Sequence, residues 1–339
     1  MNVVSAKKGN VRLKNFICHA LTFIRQQAFG NRHMMTAGEN LWGIDLGGTK
    51  AEGVVLGPGG LKEVLFRDRV PTGAENGYDH ILGQVEKLVK MMEQNMGYLP
   101  KRLGIGTPGT HDPKSGTMKG CNSECMNGQP MKEDLGRRLG LGIAIANDAN
   151  CFALAETRMG VVQQKFPSAS VVFGVIMGTG VGGGLVVDGK VINGLQGIAG
   201  EWGHNFLDNS GGPCYCGKVG CVEKVLAGPA LEKFYESIAG RQKPMKEIYA
   251  LYKSGDEHAT QTMRRLCHFF GLAISTIINI IDPDVIVIGG GVGNIDEIYS
   301  KGVESARRFV FNENVLDTPI VKPLLGDSAG VFGAAYLTA

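Results

Sequence analysis

A pattern of strand, glycine break, strand, tight turn and strand occurs twice in this sequence, and it constrains the fold more than any other feature. The predicted strands are residues 41–46, 50–56 and 61–70 in the first copy and 171–177, 183–187 and 190–192 in the second. Each copy is followed by helices and strands, which indicates a duplicated α/β unit. We therefore predict an α/β fold of two domains around a central cleft, with the two glycine breaks facing each other.

Apolar periodicity locates the remaining elements and the domain boundaries. We expect helices at residues 78–95, from 148, at 267–281 and at 330–337, and strands at 103–106, 143–146 and 285–288. Asp148 or Asn150 is the expected N-cap of the second of these helices. The elements predict a small domain, residues 41–150, to which a C-terminal helix at about 326–339 returns, and a large domain, residues 151–325.

Charge and composition limit the classes of protein to which the chain can belong. Apolar residues make up 43% and charged residues 20% of the sequence, as in soluble globular proteins. Residues 1–40 carry six Lys or Arg and one Glu (+5), so the net charge of +3 leaves −2 for the rest. A mildly acidic body argues against nucleic-acid binding. No uninterrupted apolar run approaches the ~18 residues of a membrane span.

Residues 1–40 precede the first predicted strand, and we expect this extension to be disordered or not native. It is basic and weakly amphipathic, as transit peptides are, but we favour Met34 or Met35 as the true start. The eight cysteines show no spacing typical of a disulfide framework. That usage indicates a reducing, cytoplasmic setting.

Four potential metal ligands lie within about twenty residues of one another. They are His204, Cys214, Cys216 and Cys221, with several glycines between them. One imidazole and three thiols suit a tetrahedral structural zinc site. The alternative is three unrelated cysteines.

Two glutamates, Glu201 and Glu223, flank the predicted metal ligands. Carboxylates accept paired hydrogen bonds from vicinal hydroxyl groups, so this arrangement is typical of a sugar site. If one nitrogen of His204 binds the metal, the other can donate to a ligand oxygen. The alternative is a pair of charged surface residues near a zinc knuckle.

Three glycine-containing segments are candidates for binding a nucleotide. Backbone N–H groups in such loops approach anions closely, and a threonine and a lysine in the first segment add a hydroxyl and a cation. A carboxylate at the start of that segment suits hydrated Mg²⁺. The candidates are Asp45, Gly47, Gly48, Thr49 and Lys50, then Gly178, Thr179 and Gly180, and then Gly289 and Gly290, near which a base or ribose is expected. An ordinary hairpin turn is the alternative for the first segment.

Asp148 is the predicted catalytic residue. It follows Asn147 at the junction between a predicted buried strand and a helix. Both elements hold the backbone there rigidly, so its carboxylate is expected to point into the predicted cleft. Phosphoryl transfer to a hydroxyl needs a base, together with donors and Mg²⁺ that neutralise the phosphates. A simple helix cap is the alternative.

Together these motifs resemble the ROK family (repressor, open reading frame, kinase), within the superfamily of sugar kinases, actin and Hsp70. The likeness covers nearly all of residues 41–339. Its motifs, in family order, are residues 45–49, 147–148, 178–184, 201–204 and 214–223. The resemblance implies two RNase-H-like domains that close on a hexose, and ATP-dependent phosphorylation of the 6-hydroxyl of that sugar.

The resemblance also implies roles for individual residues. Asp148 is the general base, and the sugar is held by Asn122, Asn147, Glu201, His204 and Glu223. Zinc is held by His204, Cys214, Cys216 and Cys221. The expected ligands are therefore a hexose, ATP, Mg²⁺ and structural Zn²⁺. Family members are commonly dimers, so a homodimer is expected.

The sugar and the class of protein have alternatives. Residues 122–130, 200–205 and 213–216 look most like the fructokinases and mannokinases of the family. The expected order of substrates is therefore fructose, then N-acetylglucosamine, then glucose or mannose. A non-catalytic, sugar-sensing transcriptional repressor is the alternative of another class. Forty residues ahead of the fold are too few for the winged helix-turn-helix domain of such repressors.

Overall fold

Two five-stranded sheets of the same topology organise the protein. The computed structural model describes residues 40–60 and 63–339, so the predicted extension lies outside the described residues apart from Asn40. The strands of the first sheet are β1 (Leu41–Leu46), β2 (Lys50–Leu56), β3 (Val64–Pro71), β4 (Arg102–Thr107) and β7 (Gly142–Asn147). Those of the second are β8 (Val171–Met177), β9 (Val181–Val187), β10 (Lys190–Val191), β11 (Val285–Gly289) and β12 (Ile320–Val321). The first sheet has the order β3-β2-β1-β4-β7 and the second β10-β9-β8-β11-β12.

The pairing of the strands confirms the predicted duplication. In both sheets the first three strands form an antiparallel meander, and the next two strands run parallel to its first strand. A short hairpin, β5 (Thr110–His111) and β6 (Met118–Lys119), lies between β4 and β7 in sequence. The fold is thus the α/β architecture expected from the repeated pattern. The domain boundaries at residues 150 and 325 stay a prediction.

Several strand boundaries differ from the predicted ones. β3 begins at Val64 rather than at residue 61 and ends at Pro71 rather than at 70, and residues 61 and 62 lie outside the described residues. β4 and β7 are one residue longer than predicted at each end, β11 is one residue longer at its end, and β10 ends at Val191 rather than at 192. β9 begins two residues early, because Val181 already pairs with Met177 across the glycine break. The turn between β9 and β10 was predicted correctly: Asp188 has φ 50° and Gly189 has φ 71°, which is the left-handed backbone of a two-residue hairpin.

Ten helices accompany the sheets in the described residues. They are α1 (Tyr78–Met96), α2 (Met131–Leu139), α3 (Asp148–Arg158), α4 (Val161–Lys165), α5 (Val222–Leu226), α6 (Gly228–Ala239), α7 (Met245–Lys253), α8 (Glu257–Ile281), α9 (Lys301–Arg307) and α10 (Ala329–Tyr336). α1 buries one apolar stripe against the first sheet. α8 does the same for the second sheet.

Helix α8 begins ten residues before the predicted start at residue 267. Asp256 caps it, because its side chain accepts a hydrogen bond from the backbone N–H of Ala259. The first turns of α8 mix polar residues with buried ones, so they contain no continuous apolar run that would indicate a helix. By length and composition α8 is apolar enough to cross a membrane, but 50% of its apolar window is buried inside the protein. Its packing against the second sheet is that of a core helix.

The C-terminal helix α10 contacts the first sheet and helix α3 at backbone distance. A Cβ atom added to Gly104 of β4 would lie 1.8 Å from the carbonyl oxygen of Ala334. One added to Gly43 of β1 would lie 2.2 Å from the backbone nitrogen of Ala335. On the other side of the helix, a Cβ at Gly333 would lie 1.8 Å from the carbonyl oxygen of Cys151 in α3. Only glycine is compatible with these contacts.

The segment that leads into α10 is fixed by a buried carboxylate. Glu156 of α3 is 0% exposed, and its two oxygens accept hydrogen bonds from the backbone N–H groups of Val161, Leu324 and Leu325 at 2.8–3.1 Å. A buried carboxylate is tolerated when it is hydrogen-bonded in this way. Glu156 therefore ties the end of α3 to the chain just before α10.

Substitution of Gly104 by alanine tests the close packing of α10. We expect Gly104→Ala to lower the free energy of unfolding by about 2–4 kcal/mol, because the new methyl group meets backbone that cannot move alone. Gly83 is the matched control, since it lies inside α1 with open space around it. Gly83→Ala should raise stability by about 0.5–1 kcal/mol. Urea unfolding of both variants checks this, and equal effects would contradict it.

Candidate active site

Two acidic residues meet where the strands of the first sheet end. Asp45 lies near the end of β1 and Asp148 directly follows β7, and β1, β4 and β7 run parallel. The carboxyl ends of parallel strands share one edge of a sheet, where ligands commonly bind. Burial raises the pKa of Asp45 to about 6, with further contributions from the negative charges of Asp148 and Glu52. Lys50 opposes the shift.

Asp148 is the first residue of α3, and the helix is capped by the residue before it. The side chain of Asn147 accepts a hydrogen bond from the backbone N–H of Ala149 at 2.8 Å. The predicted N-cap, Asp148 or Asn150, is therefore wrong, because both residues already lie inside the helix. Asp148 is accessible to solvent, yet protein surrounds its carboxylate closely enough for burial to raise its pKa. Hydrogen bonds from Ala149 and Asn147 oppose that rise.

Glu201 connects the catalytic candidate to the cysteine cluster. It precedes a 3₁₀ turn, Trp202–His204, whose tryptophan is buried and donates to the carbonyl of Gly182 at 3.3 Å. Burial raises the pKa of Glu201, and the nearby negative charges of Asp148 and Glu223 raise it further, while His204 lowers it. The charges of three other predicted site residues thus affect the pKa of Glu201, so these four residues lie near one another and form one group: Asp148, Glu201, His204 and Glu223.

Glu223 joins that group to the second glycine break. One of its carboxylate oxygens, Oε2, accepts a hydrogen bond from the backbone N–H of Val181 at 3.0 Å. A Cβ atom at Gly180 would lie 2.7 Å from the same oxygen, so the loop approaches Glu223 more closely than a larger residue permits. The carboxylate thus has one oxygen tied to the Gly178–Gly180 turn.

Asn122 is exposed in the loop that follows β6. Asn127 shapes this loop: its side-chain oxygen accepts from the N–H of Cys121 at 2.8 Å, and its amide donates to the Cys121 carbonyl at 3.1 Å. The hydroxyl of Ser123 lies 4.0 Å from the position a Cβ of Gly48 would take. The loop therefore adjoins the first glycine break.

The four predicted metal ligands come together. Their ligand atoms all lie within 4.8 Å of one another. Nδ1 of His204 is 3.6 Å from Sγ of Cys214, and the sulfur atoms of Cys216 and Cys221 are also 3.6 Å apart. In a tetrahedral site with zinc–sulfur bonds of about 2.3 Å, the sulfur atoms lie roughly 3.8 Å apart. The cluster therefore fits a tetrahedral metal ion.

Two residues near the site were missed from the sequence. Nδ1 of His204 faces the cysteines, and its Nε2 is 3.0 Å from the hydroxyl of Tyr215. Thr110 of β5 is close enough to Glu201 to lower the pKa of its carboxylate. The position of Tyr215 between two ligand cysteines was the available signal. Thr110 belongs to a two-residue strand that leaves no periodic pattern in the sequence.

The first glycine break is a hairpin turn closed by Thr72. The N–H of Gly47 donates to the carbonyl of Lys50 at 2.9 Å, and the Thr72 hydroxyl donates to the carbonyl of Gly47 at 2.7 Å. Gly48 and Thr49 are exposed at its tip. Lys50, predicted to bind phosphate, forms an ion pair with Glu52 at 3.1 Å.

The second glycine break meets the end of β11. The N–H of Gly178 donates to the carbonyl of Gly180 at 2.9 Å, and Thr179 is exposed between them. Gly289 packs against the Phe152 ring and Gly290 against the Met177 carbonyl, so both allow close packing behind the turn. Gly178 faces the backbone nitrogen of Gly291.

The two glycine turns and the buried acids define what the site can bind. The turns present exposed backbone at Thr49 and at Thr179, as anion-binding loops do. Asp45 and Asp148 are mutually repelling carboxylates with raised pKa values, an environment in which a divalent cation is stabilising. The residues present therefore fit a magnesium–phosphate ligand at one end and a polyhydroxylated ligand, between Asp148 and the cysteine cluster, at the other.

The similarity of the chain to known proteins agrees with this geometry. The ROK family model matches residues 41–339. An N-acetyl-D-glucosamine kinase of Escherichia coli O157:H7 is 36% identical over 307 residues, which cover 87% of this chain and 98% of that protein.

Two solved structures share the fold. A ROK hexokinase from Thermus thermophilus superposes with a TM-score of 0.78 at 30% identity, covering 88% of this chain and 97% of that one. A ROK family glucokinase from Streptomyces griseus, solved with glucose and AMPPNP, gives 0.70 at 28% identity, covering 88% and 99%. The expected two-domain, actin-like fold is confirmed. The chain therefore belongs to the ROK family, and the relatives described here are sugar kinases of that family.

Proposed function

We propose that this protein is an ATP-dependent sugar kinase in which Asp148 is the general base for phosphorylation of a sugar 6-hydroxyl. The observation that carries the proposal is the position of Asp148. It directly follows β7, at the edge of the sheet where β1 carries Asp45, and its negative charge raises the pKa of both Asp45 and Glu201, so it is near both. A base between a phosphate-binding end and a hydroxyl-binding end is what transfer between those ligands requires.

The proposed reaction is a single displacement. The Asp148 carboxylate accepts the proton of the sugar 6-hydroxyl while that oxygen forms a bond to the γ-phosphorus of ATP. The bond between the γ-phosphorus and its bridging oxygen breaks, and ADP leaves with the electron pair. The raised pKa of Asp148 makes its carboxylate a better proton acceptor than an ordinary aspartate.

The nucleotide and its metal would be held by the residues of the two turns. We assign the phosphates to the Gly47–Thr49 and Gly178–Gly180 backbones and Mg²⁺ to Asp45, whose buried carboxylate needs a cation. Magnesium supplies charge neutralisation on the transferring phosphoryl group. The base or ribose is assigned to the surroundings of Gly289 and Gly290, because β11 ends there, beside the second glycine turn.

N-acetyl-D-glucosamine is our first candidate for the sugar. The relative that is 36% identical over nearly its whole length is named as a kinase of that sugar, and this outweighs the motif likeness that favoured fructose. Fructose stays the second candidate, ahead of glucose and mannose. A non-catalytic repressor is not favoured, because Asp148 and its neighbours are all in place.

The cysteine cluster is proposed to hold a structural zinc ion. His204, Cys214, Cys216 and Cys221 supply all four ligands, which leaves no open position for chemistry. The ion would hold His204 rigid at the sugar end of the site. The expected homodimer stays a prediction.

A panel of sugars tests the proposed activity. ADP release from MgATP is measured with N-acetyl-D-glucosamine, fructose, glucose, mannose and N-acetylmannosamine. We expect kcat/KM for N-acetyl-D-glucosamine to exceed that for fructose, glucose and mannose by about tenfold or more, since a site built to bond the acetamido group rejects sugars that lack it. A preference for fructose would support the substrate expected from the sequence motifs. No turnover with any sugar would refute the proposal that the protein is a sugar kinase.

Replacement of the base tests the mechanism. Asp148→Asn should lower kcat by about 10²–10⁴-fold, because the amide cannot accept the proton, with the sugar Kd changed little. The control is Asp188→Asn, which makes the same change in a hairpin turn where asparagine also tolerates the positive φ of 50°. Near-normal turnover by Asp148→Asn would remove this residue from the mechanism.

Metal analysis tests the cysteine cluster. We expect stoichiometric zinc in the purified protein, lost in Cys216→Ser and on chelation, with a lower melting temperature and sugar affinity reduced by about tenfold or more. Cys125→Ser is the control for metal content, because Cys125 lies outside the cluster. Full stability and affinity in zinc-free protein would contradict this role.

A further inference from the structure

We propose that Tyr215 occupies the place of a sugar hydroxyl at His204, and so determines the affinity and choice of sugar. The proposal rests on the assignment of the site to a sugar in the preceding section. It concerns a residue to which neither the motifs nor the comparisons assign a role. The tyrosine would fill the sugar end of the site in the absence of substrate and be displaced when sugar binds.

The first observation is the partner of the Tyr215 hydroxyl. This oxygen lies 3.0 Å from Nε2 of His204, the ring nitrogen that points away from the cysteines. The two rings meet edge to face with centroids 5.1 Å apart. A phenol can donate or accept, so the contact holds for either tautomer of the histidine.

The second observation is the place of His204 in the candidate site. His204 ends the 3₁₀ turn that Glu201 precedes, and Glu223, whose carboxylate accepts from the N–H of Val181, follows Cys221 by two residues. His204 is therefore one of the three side chains proposed to bind sugar hydroxyls. A phenol and a sugar hydroxyl have the same hydrogen-bonding capacity, so they compete for its Nε2 atom.

The third observation is that the backbone of Tyr215 is fixed whereas its side chain is exposed. The backbone is fixed in a turn in which the N–H of Gly217 donates to the carbonyl of Cys214 at 3.0 Å, and the N–H of Cys214 donates to Lys218 at 2.8 Å. The residue is nonetheless 69% exposed. The ring can rotate away with little loss of packing, because most of its surface already faces solvent.

A competing hydroxyl costs the sugar one hydrogen bond when it binds. Removal of the phenolic oxygen therefore frees His204 without removing any group that the sugar contacts. The gain expected from one neutral hydrogen bond is about two- to tenfold in affinity. Because the phenolic oxygen bonds His204 and not Asp148, where the 6-hydroxyl is proposed to react, kcat should be unchanged.

Direct binding tests the proposal without phosphoryl transfer. The Kd for N-acetyl-D-glucosamine and for fructose is measured by calorimetry, in the absence of nucleotide, for the wild type and Tyr215→Phe. We expect the variant to bind the preferred sugar about two- to tenfold more tightly, with KM lowered in parallel, kcat unchanged and metal content unchanged. Tyr98→Phe is the matched control, since it removes a phenol that bonds Asn40, outside this group of residues.

The other outcomes of this binding experiment contradict either the role of Tyr215 or the proposed function. Unchanged or weaker binding by Tyr215→Phe, with the wild type binding normally, would overturn the role of Tyr215 and leave the kinase proposal intact. Weaker binding would indicate that the tyrosine contacts the sugar directly. Failure of both proteins to bind any sugar of the panel would overturn the proposed function, and this proposal with it.

Discussion

The backbone contact between helix α10 and its neighbours is the constraint on which the active site depends. α10 lies against β1 and β4 on one side and against α3 on the other, and glycines at 43, 104 and 333 allow this distance. β1 carries Asp45 and α3 carries Asp148. A Cβ at Gly330, next to the start of α10, would also lie 2.8 Å from the Asp45 carboxylate. The same packing therefore fixes the C-terminal helix and sets the two acids in place.

Bringing acids together in this way has an electrostatic cost. Asp45, Asp148 and Glu201 all have raised pKa values with burial as the first cause, and the negative charge of Asp148 raises the pKa of both Asp45 and Glu201 further. Repulsion among buried carboxylates opposes folding unless cations or hydrogen-bond donors offset it. The ligands proposed here supply both: magnesium at Asp45, and sugar hydroxyls at Glu201 and Glu223. Ligand binding is thus expected to stabilise the protein.

Much of the architecture could be predicted because strands and helices leave periodic patterns. The two meanders, helix α1 and the strands that end at Asn147 and Gly289 each combine an apolar run with a turn signal. The start of α8 was missed since its first turns have a polar face, and the cap at Asn147 since both it and Asp148 are good capping residues. Helices α2, α4, α5, α6, α7 and α9 were not predicted, and all of them are short, with twelve residues in α6 and nine or fewer in the others.

Some residues of the candidate site are close to one another in sequence, and others come together from distant segments of the chain. The metal ligands and the Asn147–Asp148 pair are close in sequence, so their spacing alone revealed them. Contacts between distant segments, such as Thr110 with Glu201, depend on how the β5–β6 hairpin approaches the second half of the chain, and no local pattern encodes that.

Tyr215 shows why a local motif is incomplete even when it is recognised. The backbone hydrogen bonds between Cys214 and Gly217 and between Cys214 and Lys218 fix where residue 215 lies, but they do not involve its side chain. The proposed metal cluster would thus do two things: it would hold His204 rigid, and it would position the side chain of residue 215 beside the imidazole. A change of that side chain would alter what the sugar must displace without altering the proposed metal ligands or the proposed base. In such an arrangement, sugar choice can change independently of stability and of catalysis.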